Sequence, residues 1–389
     1  MACLRRRKDD GKLLYISGSY PASPEGIAAS AGMLLDAMAG MGMKEHIKLL
    51  TTDLPVIKNH MKQSDSIQVM YLDNWKISIK NIQNYLRILK DDNITVIHME
   101  YPGDCYGKTL LASILPLVTR LWNMGKKNKI SFNVRLHEFT CARLIRKAAI
   151  IPILLFADSV YVPALRDRKA AARIAGKRVK KTIIGANIAV CPAKKERNGK
   201  TVISYFGSVY PGKGIERMLK LWKQIRDRDG ENRFEFKIIG EVNPDNGNHF
   251  SEYHKKVIAW LEEYGMREAV KITGYVTDEE VSGEIRNSQV ATLLYEDGLT
   301  LRRGSFLAYL THGIPIVTTN GDEEAAELLE GHDGIFMSDS DDELLAKVYE
   351  FVEMDESEAA GIHKDNREIA KYFSWDEIAK TFLGDYGLL

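Results

Sequence analysis

The feature that most constrains this chain is an alternation that runs through it twice. Short apolar runs take turns with longer stretches at helical spacing across residues 12–184, and the pattern restarts at residue 202. In the first series, runs at 12–17 (KLLYIS), 47–51, 67–71, 95–98, 132–136, 159–162 and 181–184 (KTII) read as strands, and 27–41 as a helix. In the second, strands are expected at 202–206, 234–239, 270–273, 290–294 and 315–318. Helices are expected there over 214–227, 251–264, 278–287, 305–312 and 371–386. Strands alternating with helices build parallel sheets from βαβ units. The polar stretch 191–200 (CPAKKERNGK) reads as the linker between the two series. The expected fold class is α/β, with two doubly wound sheets and a cleft between them. Ligands of such sheets bind beyond the carboxyl ends of the strands.

Length agrees, since 389 residues imply two domains. The longest apolar run, 148–157, carries Pro152 and stops at Asp158. It falls short of the roughly 18 to 20 residues that span a bilayer and reads as a buried helix. Basic residues but no apolar stretch precede the first strand, so no secretory signal is read and a cytoplasmic location is expected. Cys3, Cys105, Cys141 and Cys191 lie far apart with no CxxC spacing, which suits free thiols rather than a zinc site.

The net charge of +1 hides an asymmetry. Residues 1–200 carry 34 basic and 16 acidic side chains, hence +18, and residues 201–389 carry 20 and 37, hence −17. Within 101–200 the counts are 21 and 5. A basic half fits an anionic partner, such as a membrane surface, a phosphorylated substrate or nucleic acid. Attraction between two domains of opposite sign explains it equally well. Nucleic acid is the weakest of these partners, because the segment shows no recognisable binding module and few interleaved aromatics.

Three loops can carry chemistry. Residues 207–214 (GSVYPGKG) join a strand to a helix, with Lys213 beside the helix N-terminus, a natural phosphate site although not a Walker A loop. Residues 296–305 (EDGLTLRRGS) do the same, with Gly298 for close approach, Arg302 and Arg303 as fixed charges, and Gly304 and Ser305 at the helix start. One arginine is expected to reach an anion while the other pairs with a carboxylate. His137 and Glu138 follow a strand, where a histidine contacts a hydroxyl, shuttles a proton or serves structure. No HExxH, HxH or carboxylate cluster suggests a metal.

The order of motifs resembles the family 4 glycosyltransferases of the GT-B fold over roughly 370 residues. It runs YPASPEGIA, a HE dipeptide, ADSVYVPA, YFGSVYPGKG, FKIIGE, VKITGYVTDEEV, YEDG, LTHGIPIVTT and YFSW. The donor loop resembles a subset with a DGxxxRRG[ST] pattern. The resemblance implies an N-terminal acceptor-binding Rossmann-like domain over 1–190 and a nucleotide-sugar-binding one over 201–370. A C-terminal helix over 371–389 would cross back to the first domain. It implies retaining, metal-independent transfer from a nucleotide-sugar to a glycan or lipid-linked acceptor, without a cofactor, in surface polysaccharide or glycoconjugate synthesis.

By that resemblance His137, Lys213 and Glu296 are catalytic, with Lys213 neutralising the leaving diphosphate and Glu296 contacting the sugar. Gly298, Leu299 and Thr300 offer it backbone donors, Tyr275 and Val276 lie against the base, and Gly26 sits near the diphosphate. Gly207, Ser208, Glu241, Asp297, Arg302, Arg303, Gly304 and Ser305 complete the donor side; Ser19, Tyr20 and Glu138 are acceptor-side. Two departures stand out. The second glutamate of the family's E-x7-E motif falls on Gly304, and an arginine usual before the loop lysine falls on Ser208. An arginine at 302 or 303 is read as replacing the lost phosphate contact. A nucleotide-sugar epimerase of the same fold, or an inactive sugar-nucleotide-binding subunit, are the alternatives. A peripheral position on an anionic membrane is a further expectation for the basic domain.

Overall fold

A computed structural model describes residues 11–19, 26–54, 67–91, 93–101, 105–107, 109–192, 199–230, 232–245, 247 and 250–389. The chain divides into two compact units, Met1–Gly185 with Trp375–Leu389, and Ala186–Ser374.

In the first unit, seven strands form one parallel sheet: β1 (Lys12–Ile16), β2 (Ile47–Thr52), β3 (Gln68–Leu72), β4 (Ile94–Tyr101), β5 (Ser131–Leu136), β6 (Ser159–Val162) and β7 (Val179–Lys181). Their order is β3-β2-β1-β4-β5-β6-β7. Successive side chains take opposite faces, so Leu13, Tyr15, Leu49 and Val96 join one core. Leu14, Ile16, Ile97, Met99, Phe132 and Val134 join another. Helices cover both faces, which is why these strands are apolar at both parities. The first core is closed by Gly26–Met38 and by Trp375–Tyr386, which contributes Ile378, Phe382 and Leu383.

Two expectations need correction here. The strand expected at 181–184 lies instead at Val179–Lys181. The chain then leaves the sheet, and the Ile183 carbonyl accepts from Arg135 Nη2 at 2.8 Å. The helix expected at 371–386 is broken: Glu356–Lys371 ends, residues 372–374 turn around the buried Phe373, and Trp375–Tyr386 begins. The apolar helix Leu144–Phe156 is only partly buried. Ile150, Ile153 and Leu154 face the core, while Leu144 and Ile145 are 83% and 85% exposed. Among the described residues no helix is long and apolar enough to cross a membrane.

The second unit holds β8 (Thr201–Phe206), β9 (Phe234–Ile239), β10 (Val270–Ile272), β11 (Val290–Leu293), β12 (Ile316–Thr318) and β13 (Ile335–Met337). All are parallel, in the order β10-β9-β8-β11-β12-β13. Asp339 and Ser340 lead directly into the helix Asp341–Glu353. The Ser340 hydroxyl caps it by accepting from the Glu343 N–H, and three acidic residues sit in its first turn. Both units are Rossmann-like. In each the winding reverses between two central strands, β1 and β4 or β8 and β11, and loops at such a reversal form the usual ligand site.

Candidate functional site

In the second unit, the loops leaving β8 and β11 are joined at that reversal. The Glu296 N–H donates to the Gly212 carbonyl at 3.2 Å. Gly214 has φ +66°, and a Cβ there would lie 1.6 Å from the Leu294 carbonyl oxygen, so only glycine lets the two backbones meet. The approach fixes Lys213 one residue earlier.

Lys213 is buried, with Nζ 4.9 Å from the Tyr210 ring centre and 5.5 Å from that of Tyr295. Burial lowers its ammonium from the ordinary 10.5 to about 8, repulsion from Arg303 adds to this, and Asp297 opposes it. Arg303 lies against the same Tyr295 ring at 4.4 Å. Its Nη2 donates to Asp297 Oδ1 and, at 3.4 Å, to the Gly298 carbonyl, while its buried Nε has no partner among the described residues. Arg302 is exposed and makes no ion pair to a described residue. Of the two arginines, Arg303 thus pairs with the carboxylate and lines the loop, and Arg302 faces solvent.

The structure corrects the expected backbone donors. The Gly298 N–H is taken by the Tyr295 carbonyl at 3.2 Å, and the Leu299 N–H by the Asn320 carbonyl at 3.1 Å. Leu299 is fully buried. Gly298 has φ +81°, and a Cβ there would lie 2.6 Å from the Asn320 carbonyl oxygen, so glycine is required on both counts. These two residues shape the loop, whereas the Thr300 N–H meets no backbone acceptor and its buried Oγ1 no partner among the described residues. Ser305 likewise spends its hydroxyl on Tyr295 OH at 2.6 Å.

Other expected donor-side residues sit at the same strand ends. Glu296 and Ser208 are exposed, Glu241 and Val276 half-buried, and Tyr275 is 86% exposed just after β10. Gly207 leads out of β8, with Ser305 3.4 Å from where its Cβ would be. A Cβ on Gly304 would meet nothing within 4 Å, so the missing glutamate leaves open space rather than a filled one.

In the first unit, Ser19 Oγ donates to Cys105 Sγ at 2.7 Å. Gly26 opens its helix, and Tyr20 lies outside the described residues. Glu138, expected on the acceptor side, pairs with Arg146. His137 Nε2 lies 2.6 Å from Glu100 Oε2. Glu100, which the sequence reading passed over, is wholly buried and meets Tyr15, His98 and Arg135 as well. The readable signal was its parity: His98 and Glu100 in β4, and Asn133 and Arg135 in β5, put polar groups at alternate positions of otherwise apolar strands.

Residues 200–353 match the profile of the family described as Glycosyl transferases group 1. No curated protein matches in sequence. Solved structures do match in fold. A glycosyltransferase from Rickettsia africae ESF-5 is 14% identical, with 97% of this chain and 98% of that one covered and a TM-score of 0.73. Anabaena HepE in complex with UDP is 15% identical, covering 97% and 100%, with a TM-score of 0.72. Sucrose-phosphate synthase from Thermosynechococcus elongatus is 14% identical, covering 97% and 98%, with a TM-score of 0.67.

Proposed function

We propose that this chain, a glycosyltransferase by its matched second domain and GT-B fold, is a retaining, metal-independent enzyme of the family 4 kind. It moves a sugar from a nucleotide-sugar to a glycan or lipid-linked acceptor in surface polysaccharide or glycoconjugate synthesis. The observation that carries this reading is the pair Lys213 and Arg303, two cations against one tyrosine ring. They stand beside a helix N-terminus with Asp297 as their shared carboxylate. That arrangement has positive charge to spare for a diphosphate. It meets the charge growing on the leaving group without a metal. Thr300 adds an unspent N–H and hydroxyl, Glu296 reaches for the sugar, and Tyr275 offers an exposed face to the base.

The fold of UDP-bound HepE makes a UDP-sugar the first donor to try. In a thermal-shift screen against UDP-, GDP-, ADP- and dTDP-sugars, one class raises the melting temperature, since a ligand that binds only the folded form stabilises it. The same donor is turned over in the presence of EDTA. Arg303→Ala loses most of that turnover and Arg302→Ala little; near-normal kinetics in both would refute arginine substitution for the missing phosphate contact.

The acceptor side suits an apolar-tailed substrate held at the cytoplasmic face of a membrane. Leu54, Ile77, Ile79, Leu110, Leu144 and Ile145 are all exposed, and each follows the carboxyl end of β2, β3, β4 or β5. They therefore rim one edge of the parallel sheet, with Arg143 exposed and Lys147 half-buried nearby. Apolar side chains flanked by cations bind anionic interfaces by insertion and attraction together. The protein is expected to co-sediment with anionic vesicles, more weakly at high salt, and Leu144→Asp with Ile145→Asp to stay in solution. No sedimentation at any salt would discard the membrane part alone.

A further inference from the structure

His137 is gripped by its inner nitrogen. Nε2 faces Glu100 Oε2 at 2.6 Å, and an ionised carboxylate only accepts, so Nε2 carries the proton. Glu100 Oε1 also receives Tyr15 OH at 2.7 Å, His98 Nε2 at 3.1 Å and Arg135 Nη1 at 3.4 Å. The same logic orients His98. Its Nε2–H points at Glu100, leaving Nδ1 to accept from Tyr386 OH at 2.6 Å, and burial keeps the ring neutral by pushing its titration down. Tyr106 donates to the Glu100 main-chain carbonyl. These groups, from β1, β4, β5, the segment after β4 and the C-terminal helix, are the titratable surroundings of the pair.

Arg135, fully buried, balances Glu100 one for one. The outer nitrogen, Nδ1, takes no partner among the described residues, and the residue keeps 9% exposure.

We propose that Glu100 is a positioning residue that fixes the His137 tautomer, with the proton on Nε2 and Nδ1 bare, ready to accept a hydrogen bond from a substrate hydroxyl. A hydroxyl has a proton to give; a phosphate oxygen has none and is turned away. Naming that hydroxyl as a sugar's rests on the glycosyltransferase reading, whereas the tautomer rests on buried geometry.

Nitrogen-15 NMR of the histidine-labelled full chain at pH 7, with His137→Ala to assign the signal, reads the tautomer directly. The expected result is a protonated Nε2 and a bare Nδ1; a proton on Nδ1 overturns the proposal, whether or not any variant folds. In Glu100→Gln the two tautomers mix. There kcat falls about tenfold or more while donor KM stays within about twofold, and Glu100→Asp recovers part of the loss. A rise in KM at unchanged kcat would also count against it. Failure to turn over any nucleotide-sugar would remove the transferase reading and leave the tautomer standing. A protonated Nδ1 in an active enzyme would do the reverse.

Discussion

Lys213→Ala is expected to lower nucleotide-sugar turnover by about 100- to 1,000-fold, the cost of removing one preorganised donor from a developing anion. The fold should survive, because the buried ammonium is a burden to the unliganded protein. Its value near 8, against 10.5 when unfolded, means that the folded chain binds fewer protons than the unfolded one between those limits. Stability therefore rises with pH across that window in the wild type, and the variant lacks the rise. Donor binding has the opposite dependence. A diphosphate needs the charged amine, so above about pH 8 it must bring a proton with it, and kcat/KM falls by about tenfold per pH unit. A pH profile of kcat/KM taken beside melting curves separates the two effects. An alkaline limb that persists unchanged in Lys213→Ala would assign the titration to another group.

Much of this site was legible because its loops obey local rules. Glycines next to lysine and arginine between a strand and a helix drew attention to the loops that meet at Gly212 and Glu296, and the alternating runs announced the two sheets. What stayed hidden depended on which groups meet across the fold. The resemblance alone offered the N–H groups of Gly298 and Leu299 as donors; Tyr295 and Asn320 consume them. Glu138 looked free until Arg146, one helical segment later, paired with it. Glu100 was missed for a subtler reason. The strand was read as ending at residue 98, whereas it runs to Tyr101. Polar residues at alternate positions normally mark a face open to water. Here that face is roofed by a helix that arrives 275 residues later, Trp375–Tyr386, and so the pattern records a buried network instead.

That roof makes Arg135 the position where a stability change should be largest. Its side chain is wholly buried, donates to Glu100, to the Ile183 carbonyl and, at 3.5 Å, to Ser30 Oγ, and lies 5.5 Å from the Trp375 ring. Arg135→Met keeps much of the volume but leaves Glu100 as a buried anion with no counter-charge. Breaking a buried pair from one side costs about 3–5 kcal/mol. Denaturant unfolding followed by the signal of the first unit should show a loss of that size. Adding Glu100→Gln to Arg135→Met removes the stranded charge, so the double variant should be more stable than Arg135→Met alone. The pH dependence has a definite sign. Glu100 is held well below the usual carboxylate range by Arg135 and by hydrogen bonds from His137 and His98, against the effect of burial. Its contribution is thus complete above about pH 4.5, the unfolded value, and is lost only as pH falls through its depressed folded value. Strictly additive losses in the two single variants and the double variant would mean that the pair is not coupled, and that Arg135 acts through Ile183 and Trp375 instead.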